Sequence, residues 1–186
     1  MTTNKTKRAI FLDRDGVINV DNGYVSVVDD FEFIDGVIES LQTLKEKGYL
    51  IVVITNQSGI ARGYFTEEQF HTLTEWMDWS LADRGVDLDG IYYCPHHAEH
   101  GIGKYKVDCE CRKPKAGMIN DAIDELGIDV TQSMLVGDKV SDIQAGINAG
   151  ISENYLVRTG KGITEQGETL ATAIYDDLAA FVSEKI

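Results

Sequence analysis

Basic residues are scarce in this chain: 17 Lys plus Arg stand against 31 Asp plus Glu, a formal charge of −14. A nucleic-acid backbone would meet mostly repulsion on such a surface, whereas a small anion can still be held where a few cations converge in a pocket. Long hydrophobic runs are missing as well. The polar opening, Met1 to Arg8, leads only into Ala9-Ile10-Phe11-Leu12. That run is too short for a signal-peptide core or a membrane span, so a soluble cytoplasmic protein is expected. Only two prolines, Pro95 and Pro114, interrupt the chain, and both flank one loop. The three cysteines, Cys94, Cys109 and Cys111, leave one thiol unpaired in any internal disulfide scheme and lie close together, which suggests a metal before a disulfide framework. Internal repeats, low-complexity tracts and polar linkers are also absent. At 186 residues, 43% of them hydrophobic, the chain suits a single domain, 1–186, with functional insertions.

Short apolar segments alternate with amphipathic ones. Ala9 to Leu12 and Leu50 to Ile54 read as buried strands, and between them Val37, Ile38, Leu41 and Leu44 recur at helical spacing before Gly48. Thr66 with Gln69 forms a capping-box pattern ahead of Phe70, Leu73, Met77 and Leu81, and Gly85 closes that helix. Further strands are predicted at Ile91–Cys94, Met134–Val136 and Tyr155–Val157. Helices are predicted at Met118–Leu126, Ile143–Ala149 and, last, Leu170–Val182. The alternation predicts an α/β fold: a Rossmann-like, mainly parallel sheet with helices on both faces and binding groups at the carboxyl ends of the strands.

Polar motifs fall at those ends. Asp13-Arg14-Asp15-Gly16 follows the first strand, Thr55-Asn56-Gln57-Ser58-Gly59 the second, and Gly137-Asp138-Lys139 a third, while Arg112-Lys113-Pro114 precedes a helix. One such placement is ordinary turn chemistry; four together make a site. Carboxylates with a lysine and hydroxyl donors suit attack on a phosphate, provided a hard cation such as magnesium neutralises the approaching oxygens.

With these motifs the chain resembles the haloacid dehalogenase superfamily along almost its whole length. The resemblance implies a phosphomonoesterase acting on a sugar bisphosphate. It assigns Asp13 as nucleophile, Asp15 as general acid and base, and Thr55 and Lys113 as stabilisers of the transferring phosphoryl group. Magnesium would be held by Asp13, Asp138 and the backbone carbonyl of Asp15. Asp142 stays open between capping its helix and standing near the metal. Asp21, Asn22, Gly23, Tyr24, Thr55, Asn56, Gln57, Ser58, Arg112 and Lys113 are implied as the substrate surface, with Arg112 the discriminating residue. A histidinol-phosphate phosphatase, a broader small-molecule phosphatase and a phosphate-binding protein without turnover are the alternatives. A monomer is the expectation the resemblance carries.

Cys94-Pro95-His96-His97 and Cys109-Glu110-Cys111 supply soft S and N donors suited to tetrahedral zinc, in a loop at about 94–111. Spacing alone leaves His96, His97 and His100 open; the resemblance selects Cys94, His96, Cys109 and Cys111 as a closed structural site pinning the stretch into Arg112 and Lys113. The interval after Asp15 is too short for a large cap, although Gly16 to Tyr24 can form an apolar hairpin. Tyr24 reads as a packed turn aromatic, and Trp76 and Trp79 as helix-packing residues.

Overall fold

Within each apolar run, neighbouring residues serve opposite faces of one sheet. Ile10 and Leu12 of the first strand join one buried cluster with Ile51, Val53, Met134, Val136, Tyr155 and Val157. Ala9 and Phe11 join a second with Val52, Ile54, Leu135 and Leu156. Both faces are therefore dry, which explains why these strands are continuously apolar. The computed structural model describes residues 6–186, so the polar opening residues 1–5 lie outside the described residues.

The elements run β1 (Ala9–Leu12), α1 (Val37–Glu46), β2 (Leu50–Asn56), α2 (Ser58–Ala61), α3 (Glu67–Ala82), β3 (Gly90–Cys94), α4 (Gly117–Leu126), β4 (Met134–Gly137), α5 (Val140–Asn148), β5 (Glu153–Val157), α6 (Glu165–Leu170), β6 (Ala173–Tyr175) and α7 (Leu178–Lys185). The six strands form one sheet in the order β3-β2-β1-β4-β5-β6, and every pairing is parallel. Leu41, Met77 and Phe181 bring α1, α3 and α7 onto one face; Ile119 and Ile143 bring α4 and α5 onto the other. Strand order reverses at β1, which pairs β2 on one side and β4 on the other, so a crevice opens beyond their carboxyl ends. No helix is long and apolar enough to cross a membrane among the described residues. No separate folded cap interrupts the described element order.

Local chemistry departs from the sequence expectations in four places. The last helix is not Leu170–Val182: Leu156 and Val157 pair with Ile174 and Tyr175, making β6 an edge strand. Asp177 then caps α7, accepting from the Ala180 N–H at 2.7 Å, so sheet pairing outweighs helical spacing here. Gly16 to Tyr24 is no hairpin. The N–H groups of Val17, Ile18 and Asn19 all converge on the Arg14 carbonyl, and the only ladder contacts there are isolated bridges of Asn19 with Asp15 and with Phe33. Trp76 packs against Phe31 and Phe33, but Trp79 is 68% exposed. Tyr24 is half exposed, stands at φ 50° and meets Tyr64 edge-on, the ring centroids 4.8 Å apart.

Candidate active site and metal centres

A buried lysine organises the crevice. The ammonium of Lys113 lies 3.0 Å from Asp13 Oδ1 and 2.6 Å from Asp142 Oδ1 and donates to the Ile54 carbonyl at 2.9 Å. Burial alone would lower its pKa, but the two carboxylates outweigh that and hold it above the ordinary lysine value. The other oxygen of Asp142 accepts from the Asp138 and Lys139 N–H groups, each at 3.1 Å. Both alternatives for Asp142 thus meet in one residue: it caps the start of α5 and stands beside the acids.

Asp13, Asp138 and Asp142 bring ligand-type oxygens within 4.8 Å of one another. Three carboxylates face a single ammonium, so the cluster carries excess negative charge. Burial, with Asp142 next, pushes Asp13 up to about 6; burial and then Asp13 push Asp138 up to about 9. Asp138 Oδ1 is buried and accepts no hydrogen bond among the described residues. An unpartnered oxygen beside a second carboxylate, in an all-oxygen setting, fits a hard divalent cation such as magnesium. Asp142 has both oxygens engaged, which leaves Asp13 and Asp138 as the carboxylates with lone pairs to offer.

The Asp15 side chain lies outside that cluster. Arg14, 2% exposed, grips the Asp15 carboxylate at 2.9 and 3.1 Å through Nη2 and at 3.2 Å through Nε. The same guanidinium donates to the Val25 carbonyl and sits over the rings of Phe31 and Phe70. Asn19 adds a donor at 3.0 Å and Gln57 another at 3.1 Å. Gln57 also donates to the Thr55 hydroxyl at 2.8 Å, tying the end of β2 to Asp15. The carboxylate is fixed by four side-chain donors on one side and faces the crevice on the other.

The crevice is a cavity of about 570 Å³. Of the residues implied for substrate, Asp21, Gly23, Tyr24, Asn56, Gln57, Ser58, Arg112 and Lys113 line it, with Asp15. Asn22 and Thr55 do not: Asn22 faces solvent and Thr55 is 1% exposed beneath the floor. Lys139, Ser141 and Lys161 line it too; the sequence reading gave none of them a substrate role. Lys139 and Lys161 each follow a strand end, the rule that found the acids. A narrower inner recess of about 40 Å³ reaches Asp13, Lys113 and Asp142. Gly16, at φ +86°, lets the backbone pass where a Cβ would come within 2.6 Å of Asp138 Oδ2.

Beside the crevice, Cys94, His96, Cys109 and Cys111 converge. Cys94 Sγ is 3.4 Å from Cys109 Sγ and 2.8 Å from Cys111 Sγ, while His96 Nδ1 lies 3.6 Å from Cys111 Sγ. His97 lies outside that group, its Nδ1 accepting backbone N–H groups of its own turn. Three thiols and an imidazole around one point, with no disulfide, fit a closed tetrahedral zinc site. The loop is tied down elsewhere: Glu67 accepts from Tyr93 and Tyr105, both at 2.7 Å, and the Ile102 N–H donates to the Ala61 carbonyl at 2.8 Å.

The chain is also similar to proteins already known. A family model described as HAD-hydrolase-like matches residues 110–181, covering Lys113 and Asp138. The D-glycero-beta-D-manno-heptose-1,7-bisphosphate 7-phosphatase of Haemophilus influenzae is 63% identical over 171 residues, 92% of each chain. The enzyme of that name from Escherichia coli K12 is 58% identical, over 94% of this chain and 92% of its own. Among solved structures, a D,D-heptose 1,7-bisphosphate phosphatase from B. bronchiseptica, complexed with magnesium and phosphate, superposes with a TM-score of 0.80. It is 32% identical, over 95% of this chain and 96% of the other.

The grip on Asp15 has a measurable consequence. Arg14→Met keeps the buried length but removes every guanidinium donor, leaving a partly buried carboxylate held only by two amides. Stability should fall by about 2 kcal/mol in urea denaturation, and phosphate release should drop at least ~10-fold because Asp15 loses its fixed orientation. A variant as stable and as active as the wild type would show that Asp15 needs no such support.

Proposed function

Because the chain belongs to the family of D-glycero-β-D-manno-heptose-1,7-bisphosphate 7-phosphatases, within the haloacid dehalogenase superfamily, we propose that it hydrolyses the C7 phosphate of that sugar. The products are heptose 1-phosphate, a precursor for nucleotide-activated heptose and so for lipopolysaccharide, and inorganic phosphate. The chain is a phosphatase, which sets aside a phosphate-binding protein without turnover. One observation carries the mechanism: two carboxylates two residues apart occupy opposite environments. Asp13 sits in the buried acid cluster against Lys113, while Asp15 is held apart on the crevice wall. Such divided surroundings are what a nucleophile and an acid–base partner require.

In this reading Asp13 attacks phosphorus and forms an aspartyl phosphate. Lys113 stabilises the transferring oxygens by charge, while Thr55, buried off the cavity wall, acts through Gln57, which donates to both Thr55 and Asp15. Asp15, protonated, gives its proton to the departing C7 oxygen; ionised, it then takes a proton from the water that attacks the aspartyl phosphate. Magnesium held by Asp13, Asp138 and the Asp15 carbonyl would neutralise the negative charge that otherwise repels phosphate from the acids. Arg112, whose side chain makes only one long contact, 3.5 Å to the His96 carbonyl, is free to hold the remaining phosphate bidentately. Asp21, Gly23, Tyr24, Asn56, Gln57 and Ser58 supply the walls around the sugar.

Phosphate release from both anomers of the heptose bisphosphate, fructose 1,6-bisphosphate and histidinol phosphate tests the assignment. The β-anomer should give the highest kcat/KM, and folded Asp13→Asn should lose at least ~1,000-fold, since an amide cannot form the acyl phosphate. A preference for histidinol phosphate would overturn the substrate; substantial turnover by Asp13→Asn would overturn the mechanism.

Zinc in the Cys94, His96, Cys109 and Cys111 cluster would fix the chain running from Cys111 into Arg112 and Lys113. The protein should carry one zinc per chain by elemental analysis. Its selective removal should lower turnover several-fold with magnesium still in excess. Fully active protein free of zinc would refute the structural role.

A further inference from the structure

We propose that Lys161 is a specificity-determining residue that binds the phosphate the enzyme leaves in place, acting opposite Arg112; the assignment rests on the bisphosphate reading above. Four cations line the crevice: Arg112, Lys113, Lys139 and Lys161. A second phosphate must draw on those whose charge is not already used. Lys113 is buried between Asp13 and Asp142 and serves the reacting end. Lys139 also lines the inner recess with Asp13 and Asp142, so it serves the reacting end. Arg112 and Lys161 line only the outer cavity.

Their places in the fold make them a two-sided clamp. Arg112 comes from the loop after β3, Lys161 from the loop after β5, and those strands lie on opposite sides of β1 in the sheet. The backbone of the Lys161 loop is seated firmly. Thr159 Oγ1 donates to the Gly16 carbonyl at 2.7 Å, and the Lys161 N–H donates to Asp138 Oδ2 at 3.3 Å. Gly160 presses against the Asp138 carboxylate with no room for a Cβ. From this anchored base the ammonium, 54% exposed, reaches Asp21 Oδ1 at 3.7 Å. That distance and exposure make a weak ion pair. Asp21 Oδ1 keeps a second donor, the Gly23 N–H at 3.0 Å, so it is not stranded when the ammonium leaves. An entering phosphate dianion, more highly charged than the carboxylate, takes the ammonium from Asp21 without moving the loop.

The test compares wild type, Lys161→Met and Lys161→Arg on D-glycero-D-manno-heptose 1,7-bisphosphate and on heptose 7-phosphate, which shares the reacting phosphate but lacks the other. Lys161→Met should cut the ratio of kcat/KM for bisphosphate over monophosphate by ~10-fold, through KM rather than kcat, because a single charge-assisted contact is lost. Lys161→Arg should restore most of it. An unchanged ratio in Lys161→Met, whether both substrates suffer equally or neither does, overturns the role of Lys161. Failure of the wild type to turn over the bisphosphate instead overturns the underlying substrate reading, and the assignment falls with it.

Discussion

The ammonium of Lys113, shut between Asp13 and Asp142, is the contact on which the rest of the site depends. One side chain joins the end of β1, the end of β2 through Ile54, the start of α5, and the loop leading into α4. Removing the lysine would leave its buried carboxylates uncompensated, a cost of about 3–5 kcal/mol. The ion pair also sorts the acids. It engages one oxygen of Asp142 while backbone N–H groups engage the other, so Asp142 stabilises the lysine and the helix start. Asp13 and Asp138 are left facing each other with charge still to be balanced, which is the electrostatic basis for placing magnesium there.

A protein with a formal charge of −14 has to concentrate its few cations to attract a phosphorylated sugar. It does so by gathering Arg112, Lys113, Lys139 and Lys161 around one crevice. The cysteine and histidine loop adds to this by presenting Arg112 and Lys113 as consecutive residues just beyond Cys111. Its anchors lie outside the Cys/His cluster, at Glu67, Tyr93, Tyr105, Ala61 and Ile102, so the loop is braced against α2 and α3 as well as folded around its thiols and imidazole. Arg112 therefore projects from a restrained base while its own guanidinium stays nearly unpaired.

Much of this was legible in the sequence because strand ends are marked twice, by a buried apolar run and by the polar residues that follow. Asp13, Thr55 and Asp138 satisfy that rule, as do Lys139 and Lys161, to which it gives no substrate role; Lys113 instead precedes α4 at the close of the cysteine loop. What spacing does not carry is orientation. Arg14 lies between two acids and reads as a solvated turn residue, yet it is among the largest fully buried side chains. Its reason for burial, the carbonyl of Val25 and the rings of Phe31 and Phe70, comes from residues far along the chain. β6 was hidden for a related reason: three residues gain strand character only from pairing with β5. Trp79 shows the converse, since helical spacing from Trp76 does not decide which residue faces the core.

The lack of a folded cap bears on how the proposed chemistry is organised. An enzyme with a closing domain can complete its acid–base geometry at the moment of closure and exclude water while it does so. Here nothing among the described elements closes over the crevice, so the geometry has to exist beforehand. The four side-chain donors on Asp15 supply it: Arg14 Nε and Nη2, Asn19 and Gln57 hold the carboxylate whether or not a substrate is present. Openness is then compatible with the reaction, because the second half of the proposed cycle needs water at the aspartyl phosphate. A rigid acid in an open crevice serves both halves, donating to the sugar oxygen first and accepting from solvent water next, with no conformational step between them.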